Sequence, residues 1–114
     1  MEIHVDRNED EETLTLSGRG EIDYATMGTL SQALDDALED DLHAVVVDLQ
    51  EVTYMDSLGL GVLVNAHKRL TASGRSLILR IAHPELIKLL RITGLDQLFA
   101  IEMPYGEGTP APPA

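Results

Sequence analysis

The sequence predicts an α/β fold, a mixed sheet of four to five strands with an initial hairpin and about three to four helices packed on it. Three observations lead there. Val45-Val46-Val47 open a β-branched apolar run that suits a fully buried strand. From Thr29 onward, stretches with helical spacing alternate with short strand-like runs, the pattern of strands joined by helical crossovers. Before them, two short runs separated by an acid-rich turn read as a hairpin. A chain of 114 residues has room for one core and not two.

Taken in order, Glu2 to Val5 form a short first strand with Ile3 and Val5 on one face, and Asn8 to Glu12 turn the chain. Thr13-Leu14-Thr15-Leu16 alternates cleanly and predicts a half-buried strand, antiparallel to the first, that ends at Gly18-Arg19-Gly20. Glu21 and Asp23 flank Ile22 near the start of a helix-bearing segment, where acids complement the helix dipole. Thr29 to Leu42 has Leu30, Ala33, Leu34, Ala37 and Leu38 at helical spacing, and its other face, Asp35, Asp36, Glu39, Asp40 and Asp41, is acidic. Those acids crowd the end that the dipole disfavours, so they read first as a solvated face and second as a docking surface for a basic partner.

The buried strand from Ala44 to Leu49 leads into a polar connection, Gln50 to Asp56, in which Val52, Tyr54 and Met55 tuck against the core. Ser57 stands where a helix N-cap is expected, and Leu60, Leu63 and Val64 open the stripe of a helix running to Thr71. Capping by Ser57 is worth roughly 1 kcal/mol. The same place also suits an added phosphate, which meets free N–H groups and the positive end of the helix dipole. Gly59 and Gly61 each cost roughly 0.8–1 kcal/mol against alanine in a helix, which makes sense if backbone or a partner must approach the first turn closely.

Gly74 stops the second helix. Ser76 to Ala82 is another strand, Pro84 suits the first turn of a helix over Glu85 to Ile92, and Gly94 ends it. Leu98 to Ile101 is a short terminal strand or apolar plug. Residues 1–103 are thus expected to form the domain. The Pro- and Gly-rich stretch 104–114 is expected to be a disordered tail, because it has almost nothing to bury. The crossover through the Ser57 helix should join parallel strands and leave Ser57 at a strand's carboxyl end, where α/β proteins place their sites.

Composition narrows the function. The formal charge of −12 argues against direct nucleic-acid binding, no run is long and apolar enough for membrane insertion, and the N-terminus does not read as a signal peptide. The absence of cysteine excludes a disulfide framework or a thiolate site and suits a cytoplasmic location. His4, His43, His67 and His83 are scattered without metal-ligand spacing, and there is neither a Gly-x-Ser-x-Gly elbow nor a phosphate-binding Gly-x-x-x-x-Gly-Lys loop. The sequence therefore reads as a protein without a cofactor, and not as an enzyme.

Met55-Asp56-Ser57-Leu58-Gly59-Leu60-Gly61-Val62-Leu63 resembles the signature of STAS domains of the anti-sigma factor antagonist family. Leu16-Ser17-Gly18-Arg19-Gly20-Glu21-Ile22-Asp23 resembles that family's Gly-Glu-Ile/Leu-Asp turn, and Ile92-Thr93-Gly94-Leu95-Asp96-Gln97-Leu98-Phe99 its closing block. The three blocks occur in order and cover about residues 10 to 102. The resemblance implies a STAS-like sheet and a partner switch. In that family the unmodified antagonist binds an anti-sigma factor and frees the sigma factor. The anti-sigma factor is also a serine kinase and phosphorylates the serine after the motif aspartate, here Ser57, and a serine phosphatase restores the active form. The resemblance implies a partner-binding surface of Asp23, Asp56, Ser57, Leu58, Gly59, Leu60 and Gly61. Leu58 departs from the family, which often has a second small hydroxylated residue there. The alternative is a non-phosphorylated STAS scaffold or lipid-transport subunit that acts by constitutive docking.

Overall fold

The structure, a computed structural model, describes residues 1–103. The stretch 104–114, read above as a disordered tail, lies outside the described residues. Five strands and three α-helices follow one another as β1 (Glu2–Asn8), β2 (Thr13–Ile22), α1 (Met27–Leu38), β3 (Ala44–Met55), α2 (Ser57–Ala72), β4 (Ser76–Arg80), α3 (Pro84–Thr93) and β5 (Ala100–Glu102), with a 3₁₀ turn at Leu95–Gln97. The sheet order is β1-β2-β3-β4-β5. The β1–β2 hairpin is antiparallel and every later pairing is parallel.

Each parallel step moves one strand further in the same direction across the sheet, so crossovers of one hand place all three helices on one face. The burial pattern agrees. Leu14 and Leu16 of β2, Val45, Val47 and Leu49 of β3, and Leu77 and Leu79 of β4 form a single core. Joining them are Leu30 and Leu34 of α1, Leu60, Leu63 and Leu70 of α2, and Leu86 and Leu90 of α3. Val46 alternates onto the other face and is still buried, between its register neighbours Thr15 and Ile78. That explains why the β3 sequence is continuous in apolar residues instead of alternating.

Four sequence expectations are corrected. β2 does not end at Gly18-Arg19-Gly20 but runs through to Ile22, with register shifts between Ser17 and Arg19 and between Gly20 and Glu21, where Gly20 takes φ 107°. Gln50 to Met55 is not a loop, because it pairs with the far half of β2 and extends β3 to Met55. Of the residues expected to tuck inward there, Val52 and Met55 are buried and Tyr54 is half exposed. α1 starts earlier and stops at Leu38, leaving Asp40 to Leu42 in the turn that follows, although Leu42 still packs in the core. The stops at Gly74 and Gly94 are as expected, both in the left-handed conformation at φ 77°.

Candidate functional site

The site lies where β2 and β3 end side by side and α2 begins. The amide of Asp56 donates to the carbonyl oxygen of Ile22 at 3.1 Å, which ties the last residue of β2 to the start of the helix. This bond keeps Asp56 extended, at φ −99° and ψ −177°, and makes it the N-cap. Its Oδ1 accepts from the amides of Leu58 and Gly59 at 3.0 and 3.1 Å. The expectation that Ser57 caps the helix is therefore corrected. Ser57 is the first helical residue, and its side chain is exposed with no capping role. The amides of Leu58 and Gly59, which an anion could have used, are already taken by the Asp56 carboxylate.

Asp23 stands at the neighbouring strand end. Its Oδ1 accepts from the amides of Ala25 and Thr26 at 3.0 and 3.1 Å, and its own amide donates to the Thr26 hydroxyl at 3.0 Å. That hydroxyl in turn donates to the Glu21 carbonyl at 2.7 Å. The Asp23 carboxylate thus builds the β2–α1 turn and is not a dipole partner inside the helix. Its Oδ2 accepts no hydrogen bond among the described residues, and the residue is half-buried.

The remaining residues of the expected surface divide. Leu58 is 44% exposed, whereas Leu60 is 6% exposed and belongs to the core, so Leu60 offers a partner no side-chain contact. Gly59 is buried: a Cβ there would lie 2.6 Å from Ile22 Cγ2 and 2.9 Å from Met55 Cγ. Its smallness serves internal packing of α2 on the ends of β2 and β3, not a partner's approach. Gly61 is the contrary case, exposed and with nothing within 4 Å of a Cβ. Together with Leu58 it walls a groove of about 240 Å³ between α1 and α2, which Met27, Leu38, Asn65 and Arg69 also line.

Two exposed aromatics lie close in the chain to the aspartates at these strand ends. Tyr24, 78% exposed, follows Asp23, and Tyr54, 50% exposed, precedes Met55 and pairs with Glu21. Tyr24 is not among the residues that the sequence pattern singles out, and Tyr54, expected against the core, is half exposed. Their position beside the two aspartates at the strand ends is the signal that could have found them. No group of acids, histidines or cysteines among the described residues could hold a metal ion, and no helix among them is long and apolar enough to cross a membrane.

The sequence profile of the STAS domain matches residues 4–107. The chain belongs to the STAS domain family. Two relatives of this STAS domain are named anti-sigma-B factor antagonist. That of Listeria monocytogenes is 35% identical over 94% of this chain and 95% of its own length, and that of Bacillus subtilis is 36% identical over 89% and 92%. The crystal structure of an anti-sigma factor antagonist from Mycobacterium paratuberculosis superposes with a TM-score of 0.81 at 27% identity, over 91% of this chain and 86% of that one. The unphosphorylated form of the anti-sigma factor antagonist SpoIIAA shares the fold, with a TM-score of 0.70 at 17% identity, over 93% and 92% of the two chains.

Proposed function

We propose that this protein is an anti-sigma factor antagonist. Its unphosphorylated form binds an anti-sigma factor that is also a serine kinase, and phosphorylation of Ser57 switches that binding off. The observation that carries the reading is the exposed hydroxyl of Ser57 on the first turn of α2, directly after the capping Asp56. The names of its relatives supply the partner class.

Transfer of the γ-phosphoryl group of ATP forms a bond to Ser57 Oγ, releases ADP, and passes the hydroxyl proton to a base of the kinase. The kinase brings ATP, since the chain has no phosphate-binding loop of its own. A phosphoserine carries roughly −1.5 to −2 charges at pH 7. It stands next to Asp56 in the chain, and Asp23 follows the neighbouring strand end. The Asp56 side chain already holds the Leu58 and Gly59 amides, so the phosphate gains from the helix dipole and from water but not from those donors. In the free domain water screens the added charge, while in a complex it must be desolvated. The switch thus leaves the domain folded and weakens the interface. Leu58 and the exposed Tyr24 and Tyr54 supply the apolar contact of the unmodified form. A serine phosphatase returns the protein to that form.

The test is intact-mass spectrometry after incubation with the candidate anti-sigma kinase and Mg-ATP. One added phosphoryl group, absent from the Ser57→Ala variant, is the expected result. A stable complex without any mass change would overturn the switch in favour of a scaffold or lipid-transport subunit that docks constitutively.

A further inference from the structure

A second surface lies on the opposite side of α1 from the groove walled by Leu58 and Gly61. β1 is an edge strand, hydrogen-bonded only to β2 among the described residues. Its helix-side residues alternate as Ile3, Val5 and Arg7, opposite Gly18, Leu16 and Leu14. α1 lies over β2 and reaches β1 only in part, which leaves an open groove of about 740 Å³ floored by Ile3, Val5, Leu14, Leu16, Ala33 and Ala37. Of these, Leu14, Leu16 and Ala37 are buried, whereas Val5 is 53% exposed, an apolar β-branched side chain with half its surface in water.

The rim of this groove is acidic. Asp36 and Asp40 line it, while Glu2 and Asp6 alternate onto the other face of β1, where they would lie beside the outward side chains of an added strand. Its one lining cation, Arg7, is occupied by the carboxylates of Glu9, Asp40 and Asp41. A free strand edge beside an apolar groove is the geometry for adding one more strand, whose inward side chains cover the groove while its backbone pairs with β1. The charge selects what can be added. A second copy of this chain, at −12, brings acid against acid, which is how edge strands are protected from self-pairing. A basic strand meets the complementary field.

We propose that the β1 edge and its groove take an extended segment of a partner protein in which apolar residues alternate with lysine or arginine. This site is independent of Ser57. The experiment is a titration of the ¹⁵N-labelled full chain with a synthetic peptide of alternating valine and lysine, followed by NMR, with a valine–glutamate peptide as control. The expected result is shifts confined to β1 and the groove side of α1, slowed hydrogen exchange along β1, and at least tenfold weaker binding in Val5→Asp. Val5→Thr, which keeps a β-branched side chain, should bind with an intermediate loss. Ser57→Asp should bind like the unsubstituted protein, so failure here and failure of the phosphorylation switch are separable. Four outcomes would overturn the proposal: no binding, equal binding of the glutamate peptide, shifts spread over the acidic surface and unchanged by Val5→Asp, or a dimer in sedimentation that Val5→Asp disperses. The last would assign the groove to a second copy.

Discussion

Gly59 and Gly61 sit two residues apart in α2 and meet opposite surroundings, so the same substitution should act with opposite sign. A Cβ at Gly59 collides with Ile22 and Met55, a forced overpacking that costs typically 1–3 kcal/mol and exceeds the roughly 1 kcal/mol that alanine gains in helix propensity. At Gly61 the added methyl meets nothing, so only the propensity gain of roughly 1 kcal/mol remains. We predict that urea denaturation shows Gly61→Ala stabilised and Gly59→Ala destabilised relative to the unsubstituted protein. Two variants displaced in the same direction would refute the assignment of Gly59 to packing and Gly61 to an open surface. The difference was not legible in the sequence, where both glycines look like helix breakers in one first turn. The same holds for the cap. Asp56 and Ser57 are both good N-cap residues, and propensity alone does not separate neighbours. The choice is made by a contact from elsewhere in the chain, the Asp56 amide on the Ile22 carbonyl, which fixes Asp56 as the last extended residue. Ser57 was found as the position of interest by motif, and only the tertiary bond shows that its hydroxyl is left free.

Among the elements, α1 carries its acids at the end where the macrodipole disfavours them, and two arginines from distant strands and turns offset this. Arg75 donates to the carbonyl oxygens of Leu42, Leu38 and Ala37 at 2.7, 3.2 and 3.3 Å, closing the helix end. Arg7 of β1 grips Asp40 with two hydrogen bonds, at 3.0 and 3.2 Å, and reaches Asp41 at 3.1 Å. The hydrogen bond from Arg7, reinforced by the Leu42 amide and by the charge of Arg7, holds the Asp40 carboxyl at a pKa of about 2. A carboxylate lowered in the folded state contributes stability that is full above its unfolded pKa, roughly 3.9 for aspartate, and is lost as pH falls through the folded value. Comparison of Asp40→Asn with the unsubstituted protein in urea should therefore show a gap in midpoint at pH 6 that narrows below about pH 4 and closes near pH 2. A gap that is constant with pH would show that the pair contributes nothing through the charge on Asp40. Strand and helix identities were mostly legible, because the β3 apolar run, the proline at the start of α3 and the glycines after α2 and α3 each act locally. The missed lengths have one cause. The far half of β2 and the end of β3 are polar, bulged and glycine-containing, and they form a ladder only because each finds the other. Nothing within either segment announces that pairing.

At the scale of the whole molecule, the switch proposed above acts in an interface, because Ser57 is exposed and the chain already carries a formal charge of −12. β2, β3 and α2 are bound together by the Asp56–Ile22 hydrogen bond and by the packing of Gly59 against Ile22 and Met55, so a charge added at Ser57 has little freedom to be absorbed by movement of the first turn. It has to be borne where the partner removes water. A penalty of about 3 kcal/mol lowers affinity by more than a hundredfold, and the desolvation of a phosphate in an interface is ample for that. On this basis Ser57→Ala should bind the anti-sigma partner as tightly as the unmodified protein and stay bound in the presence of Mg-ATP. Ser57→Asp, with one charge in place of nearly two, should bind measurably more weakly, and the phosphorylated protein more weakly still. Calorimetric titration of the four forms against the same partner gives the order directly, and thermal melts of the free proteins should differ far less than the affinities do. Equal affinity of Ser57→Ala and Ser57→Asp, or a loss of affinity matched by a loss of folding, would remove the interface as the place where the phosphate acts.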